Sequence, residues 1–155
     1  MTKGTIYLIP TTLGGESTDD ITPNAVRSQV IELRCFIVES VKSARRYLRK
    51  LDRSFPIDAC TFFELNKKTD AGAVYSFIKP ALNGTDIGVL SEAGCPGVAD
   101  PGAAVVALAH AEGINVHPFV GPSSILLALM GSGFSGQNFA FHGYLPKSVK
   151  TEFVK

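Results

Sequence analysis

Apolar, β-branched runs recur along the chain at Thr5 to Ile9, Cys35 to Glu39, Cys60 to Leu65, Ile87 to Leu90 and Asn115 to Val120. Between them, apolar residues return at helical spacing. Val41, Ala44, Leu48 and Leu51 make one stripe, and Val74, Phe77, Ile78 and Leu82 make another behind Asp70, a candidate helix cap. Asp100-Pro101 puts an acid at an N-cap and proline at the first helical position of a segment that runs through Val105, Leu108 and Ala109 and stops at Gly113. Ser123 to Met130 is apolar on almost every side, which predicts a buried helix ended by Gly131, and Asn138 to Tyr144 reads as a last strand. Strands alternating with one-sided helices predict an α/β fold, because each helical stripe needs a sheet to cover. The stretch after Pro146, "KSVKTEFVK", has the composition of a linker. The domain is therefore expected over residues 1–144, with a tail over 145–155.

Composition narrows the class. The 155 residues are 45% hydrophobic and 19% charged, enough apolar content for one domain with a core of its own. A net charge of +1 gives no global pull toward nucleic acid or membrane, so any such attraction must be local. Cys35, Cys60 and Cys95 stand far apart with no Cys-x-x-Cys pair. That argues against a disulfide framework or a zinc site, predicts no metal, and suits a reducing cytoplasm. No apolar run reaches membrane-spanning length, and the opening "MTKGTIYLIP" is too short for a signal peptide. The expectation is a cytoplasmic protein with no membrane partner.

The chemistry-bearing stretches are loops of small residues. "LSEAGCPGVADPG", Leu90 to Gly102, follows the fourth apolar run and leads into a helix; "PTTLGG", residues 10–15, follows the first, and "GPSS", residues 121–124, follows the fifth. In open α/β sheets ligands bind at the carboxyl ends of strands, where glycine lets a ligand approach the main chain. One such loop alone is an ordinary strand-to-helix turn. Three together favour a ligand site. The literal G-x-G-x-x-G at Gly131, Gly133 and Gly136 is set aside, because a dinucleotide loop must follow a strand and open a helix, and this one follows a helix.

"LSEAGCPGVADPG", "VGPSS" and "FHGYLP" together resemble the amino-terminal domain of the tetrapyrrole methylase superfamily, most closely its 16S ribosomal RNA ribose 2'-O-methyltransferase branch. The resemblance covers about Gly4 to Pro146. It implies a five-stranded, mainly parallel sheet flanked by helices, a homodimer, a second domain downstream, and S-adenosylmethionine folded between the domains. It further implies that Pro10, Ala93, Gly94, Cys95, Val98, Ser123 and Ser124 line the methionine and ribose portions of that cofactor, with adenine contacts coming largely from the second domain. The 155 residues alone are then expected to fold, to bind the cofactor feebly and to transfer no methyl group. Methyl transfer is an in-line displacement in which alignment supplies much of the acceleration, so no catalytic side chain is assigned.

Several positions depart from that branch. Its acid-acid-threonine-arginine run corresponds to Glu39, Ser40, Val41 and Lys42, and its "LHEHN" pattern to Phe62 to Asn66, where Glu64 and Asn66 persist without the histidines. Glu92 stands for the expected acid of the second loop, and Gly15 replaces an asparagine. Carbon methylation of a tetrapyrrole or corrin ring is the same-fold alternative, but its Gly-Gly-Asp-Pro pattern aligns with Ala93, Gly94, Cys95 and Pro96, which favours an RNA substrate. A non-catalytic nucleotide-binding or assembly domain is the rival from another class. Lys42, Arg45, Arg46, Arg49, Lys50 and Arg53 make the second helix basic, as an RNA-contacting helix or a solvated face would be. His110 and His117 are read as structural and His142 is unassigned. Cys95 is read as a small residue, since no neighbouring His or Lys would lower its pKa.

Overall fold

The computed structural model describes residues 2–15, 17–70 and 72–144. Strands β1 (Thr5–Ile9), β2 (Cys35–Val38), β3 (Thr61–Glu64), β4 (Ile87–Leu90) and β5 (Asn115–Pro118) alternate with helices α1 (Asn24–Glu32), α2 (Val41–Leu51), α3 (Ala73–Leu82), α4 (Gly102–Ala111) and α5 (Ser124–Ser132). The strands form one sheet in the order β3-β2-β4-β1-β5. Every pairing is parallel, including Ile6 with Ile87, Phe36 with Gly88 and Tyr7 with His117. The five-stranded parallel α/β architecture expected from the sequence is the one observed.

The residues explain the layering. β2 and β4, "CFIV" and "IGVL", are buried along their whole length, as interior strands covered on both faces must be. Successive side chains point to opposite faces. Phe36 and Val38 therefore join Ile9 in a cluster with Val26 and Val30 of α1 and Ala44, Leu48 and Leu51 of α2. Ile37 joins Ile6, Ile87 and Val89 in a second cluster with Val74 and Ile78 of α3 and Val105 and Ala109 of α4. The outer strands β3 and β5 have no fully buried residue.

Local signals set the helix starts with small shifts. Ser40 caps α2, its Oγ accepting from the Ser43 amide at 3.4 Å. Asp70 shapes the turn before α3 instead of capping it: its Oδ1 accepts from the Gly72 amide at 2.7 Å, and Gly72 holds the cap position. Asp100 lies one residue earlier than expected, with Pro101 at the cap of α4. Its Oδ1 accepts from the amides of Gly97 at 2.6 Å and Gly102 at 2.9 Å, closing the loop before the helix.

The chain divides into two compact units, one ending at Ser124 and one beginning at Ile125. The sheet, α1 to α4 and the three loops belong to the first. In the second, the expected buried helix is not found. α5 has no buried residue, and Met130 is 79% exposed. An apolar pattern states what a helix is able to bury, whereas burial itself requires a surface that covers it. No strand forms over residues 138–144, where Phe139, Phe141 and Tyr144 are exposed. Gly131 lies within the last turn of α5 and Gly133 just beyond it, so the G-x-G-x-x-G follows a helix, the context on which it was set aside. The tail expected over 145–155 lies outside the described residues. Among the described residues, no helix is long and apolar enough to cross a membrane, and no group of three or more His, Cys, Asp or Glu side chains is placed to hold a metal ion.

Candidate functional site

Because all strands run parallel, the segments following β1, β4 and β5 emerge at one edge of the sheet, and hydrogen bonds draw them together. Gly94 is the meeting point. Its carbonyl accepts from the Thr11 amide at 2.9 Å and from Ser91 Oγ at 2.9 Å, and Thr11 and Gly94 form an isolated bridge. Gly94 has φ of +71°, a left-handed conformation that favours glycine, and a Cβ there would lie 3.1 Å from Leu13 Cδ2 and 3.5 Å from the Pro122 carbonyl. Cys95 Sγ donates to that same Pro122 oxygen at 3.3 Å. Pro10 packs against Gly121, where a Cβ would collide with its ring, and the Pro10 carbonyl accepts from the buried Tyr47 hydroxyl at 3.0 Å. The first, second and third loops thus converge.

Of the residues assigned from the resemblance, Pro10, Gly94 and Cys95 lie within this convergence, and Ser123 follows directly on Pro122. Ala93 and Val98 are exposed on the second loop, and Ser124 is the first residue of α5. Burial pushes the Cys95 thiol pKa upward, which matches its reading as a small residue and not a nucleophile. The second loop carries further left-handed residues, Gly97 at φ +83° and Ala99 at φ +57°. Desolvation raises the Asp100 carboxyl pKa, while its two backbone hydrogen bonds act in the opposite direction.

Beside the convergence lies a cleft of about 350 Å³ between the first loop, α2 and the start of the second loop. Thr11, Tyr47, Ala44 and Ser91 are its buried lining; Thr12, Gly14, Gly15, Ser43, Arg46, Lys50 and Glu92 complete it. Ser43 Oγ donates to Glu92 Oε2 at 3.1 Å, tying α2 to the second loop. Sequence reasoning did not single out Thr11, Ser43 or Tyr47. The available signal was the recurrence of positions 43, 47 and 50 along α2.

The retained acids have separate places. Glu64 Oε2 accepts from the Val41 amide at 3.3 Å and Oε1 from Asn66 Nδ2 at 3.0 Å, so this pair joins β3 to the start of α2. Glu39 and Glu92 line an open cavity of about 380 Å³ with Asn66, Lys67 and Lys68. His110 and His117 are exposed, His117 packing on Tyr7 and Phe119 with ring centroids 5.6 and 5.1 Å away.

No protein-family model matches the chain. Curated relatives do. It is 32% identical over 146 residues to "Ribosomal RNA small subunit methyltransferase I" of Pseudomonas aeruginosa, covering 94% of this chain and 49% of that protein. To the protein of the same name from Halalkalibacterium halodurans it is 32% identical over 148 residues, 96% of this chain and 48% of that one. To that of Thermotoga maritima it is 30% identical over 144 residues, 93% and 61% respectively. The chain spans about half the length of the first two relatives. Over nearly all of its own length, the chain is similar in sequence to proteins named ribosomal RNA small subunit methyltransferase I, in agreement with the resemblance that its loops carry.

Proposed function

We propose that this chain serves an S-adenosylmethionine-dependent methyltransferase that modifies a ribose 2'-hydroxyl of small-subunit ribosomal RNA, working in the cytoplasm as a homodimer. The observation that carries the reading is the convergence of three small-residue loops on Gly94 at the carboxyl edge of the sheet. Relatives named for ribosomal RNA methylation add the substrate class.

The residues present fit such a cofactor. A sulfonium with a carboxylate-and-amine tail needs main-chain carbonyls, amides and small hydroxyls, with no bulky side chain between ligand and backbone. Pro10, Ala93, Gly94, Cys95, Val98, Ser123 and Ser124 would hold it. The cofactor, when bound, supplies the electrophilic methyl group. The chain's part is placement. The Thr11–Gly94 and Cys95–Pro122 bonds fix the three loops relative to one another, so a ribose hydroxyl is aligned by a preformed frame and not by loop closure. Tetrapyrrole methylation is the less favoured substrate, because Cys95 stands where that branch carries its acid.

Isothermal titration of the chain with S-adenosylmethionine, followed by radiolabelled methyl transfer to small-subunit ribosomal RNA and to a tetrapyrrole, tests the reading. The transfer assay is run with the 155 residues and with a version extended through any downstream coding sequence. Cofactor binding and labelling of the RNA at a ribose are expected of the extended version. Absence of cofactor binding by both versions, or labelling of the tetrapyrrole alone, would overturn it.

A further inference from the structure

The segment between β1 and α1 leaves the sheet at Pro10, and a single side chain of α2 holds its departure. Proline has no N–H, so the carbonyl is the one main-chain hydrogen-bonding group that Pro10 offers. The buried Tyr47 hydroxyl takes it, donating at 3.0 Å. The N–H of the same peptide unit belongs to Thr11, and it donates to the Gly94 carbonyl at 2.9 Å. A peptide unit is planar, so fixing its oxygen also fixes the direction of its N–H. The Pro10–Thr11 plane is thus pinned on one side by α2 and on the other by the second loop.

The far end of the segment reaches the same helix. Burial pushes the Tyr47 pKa up, while a side-chain hydrogen bond with Thr22 and the nearby Arg27 charge act in the opposite direction. Thr18 Oγ1 donates to the Lys50 carbonyl at 3.4 Å and Arg27 Nη1 to that of Leu51 at 2.6 Å, and the same guanidinium pairs with Asp19. Those carbonyls belong to the last turn of α2, where the helix supplies no partner of its own. Residues 18–27 therefore have several ties to α2. Pro10 has the Tyr47 hydroxyl. Packing alone would be served as well by phenylalanine, whose ring would fill the same place in the cluster with Ile9, Val26 and Leu48.

We propose that Tyr47 is a positioning residue for the candidate cofactor surface: by orienting the Pro10–Thr11 peptide plane, it sets the first loop against Gly94. The proposal rests on the methyltransferase reading above for its choice of ligand. The hydroxyl is committed to protein atoms, so it acts through the main chain and not on the ligand. Without it, the plane keeps one tether, and Pro10 is free to turn its carbonyl away from α2.

Tyr47→Phe removes one oxygen and keeps the ring, so it is expected to remain folded by circular dichroism. Amide hydrogen exchange followed by NMR then compares Thr11 with Leu65, whose amide donates to the Val38 carbonyl at 2.8 Å beyond β3. A general loss of stability speeds both amides alike, whereas release of the Pro10–Thr11 plane speeds Thr11 alone. Thr11 is expected to exchange about three- to tenfold faster relative to Leu65, the weight of one net hydrogen bond. Ile78→Val, a core change in the cluster on the opposite face of the sheet, should destabilise the chain without moving that ratio. Titration of the 155 residues and of the extended version with S-adenosylmethionine should show binding weakened about threefold or more by Tyr47→Phe and unchanged by Ile78→Val. An unchanged exchange ratio in Tyr47→Phe, the same shift in Ile78→Val, or a shifted ratio with parent affinity for the cofactor would each overturn the proposal. A Tyr47→Phe chain that does not fold would make the hydroxyl a requirement of the fold and overturn it too. Cofactor binding by neither parent version would remove the methyltransferase reading, and the exchange ratio would then decide by itself whether Tyr47 positions the loop.

Discussion

Gly94 and Ala99 stand five residues apart in the second loop, both left-handed, and only one of them is glycine. Exchanging the roles of the two positions tests whether backbone geometry accounts for the glycine content of this loop. In Gly94→Ala, an L-residue at φ +71° costs roughly 1–2 kcal/mol, and the restricted unfolded chain returns about 0.4–1 kcal/mol. The new Cβ meets Leu13 Cδ2 at 3.1 Å, a contact that the exposed leucine relieves by a small rotation. The net expectation is a loss of about 1 kcal/mol. In Ala99→Gly the same quantities enter with opposite sign, because the strain at φ +57° is released and unfolded-state entropy is gained. A gain of up to about 1 kcal/mol follows. Urea denaturation followed by circular dichroism reads both changes against the parent. A Gly94→Ala variant as stable as the parent, or an Ala99→Gly variant less stable, would refute the argument. By the same geometry, Gly94→Val would strain the loop whether or not a ligand binds.

Asp100→Asn should reveal the raised pKa of the native carboxyl. The folded chain binds the extra proton between the ordinary carboxylate value and its own higher one, so the parent loses stability as pH rises through that window while the asparagine variant, which keeps an Oδ1 acceptor, does not. Urea melts at pH 4 and pH 7 should therefore show the variant gaining on the parent at the higher pH, and a pH-independent difference would contradict this. Burial, with Cys60 adding to it, pushes the Cys35 thiol up to about 11, leaving about one molecule in a thousand as thiolate at pH 8. Iodoacetamide followed by mass spectrometry should label the half-buried Cys95 of the folded protein well before Cys35; equal rates would show that Cys35 is accessible.

The alternation of strands and helices was legible because it is written in local periodicity. "CFIV" and "IGVL" are continuous apolar runs since both faces of an interior strand are covered, and Ala44, Leu48 and Leu51 recur at the spacing of one helix face. Loop composition was equally local, and it marked the three segments that meet at Gly94. What the sequence left open depended on partners distant along the chain. The hydrogen bond from Thr11 to Gly94 joins positions more than eighty residues apart, and no pattern within either loop specifies it. Glu64 and Asn66 read as motif residues, yet their bonds to each other and to the Val41 amide make them a brace between β3 and α2. Helical period alone separates Arg46 and Lys50 from Arg45 and Arg49. Only the burial of Ala44, Tyr47 and Leu48 against the sheet decides which pair faces the cleft. The exposed α5 carries the same lesson in reverse: its apolar residues were plain in the sequence, but burial belongs to a pair of surfaces, and one helix supplies only its own.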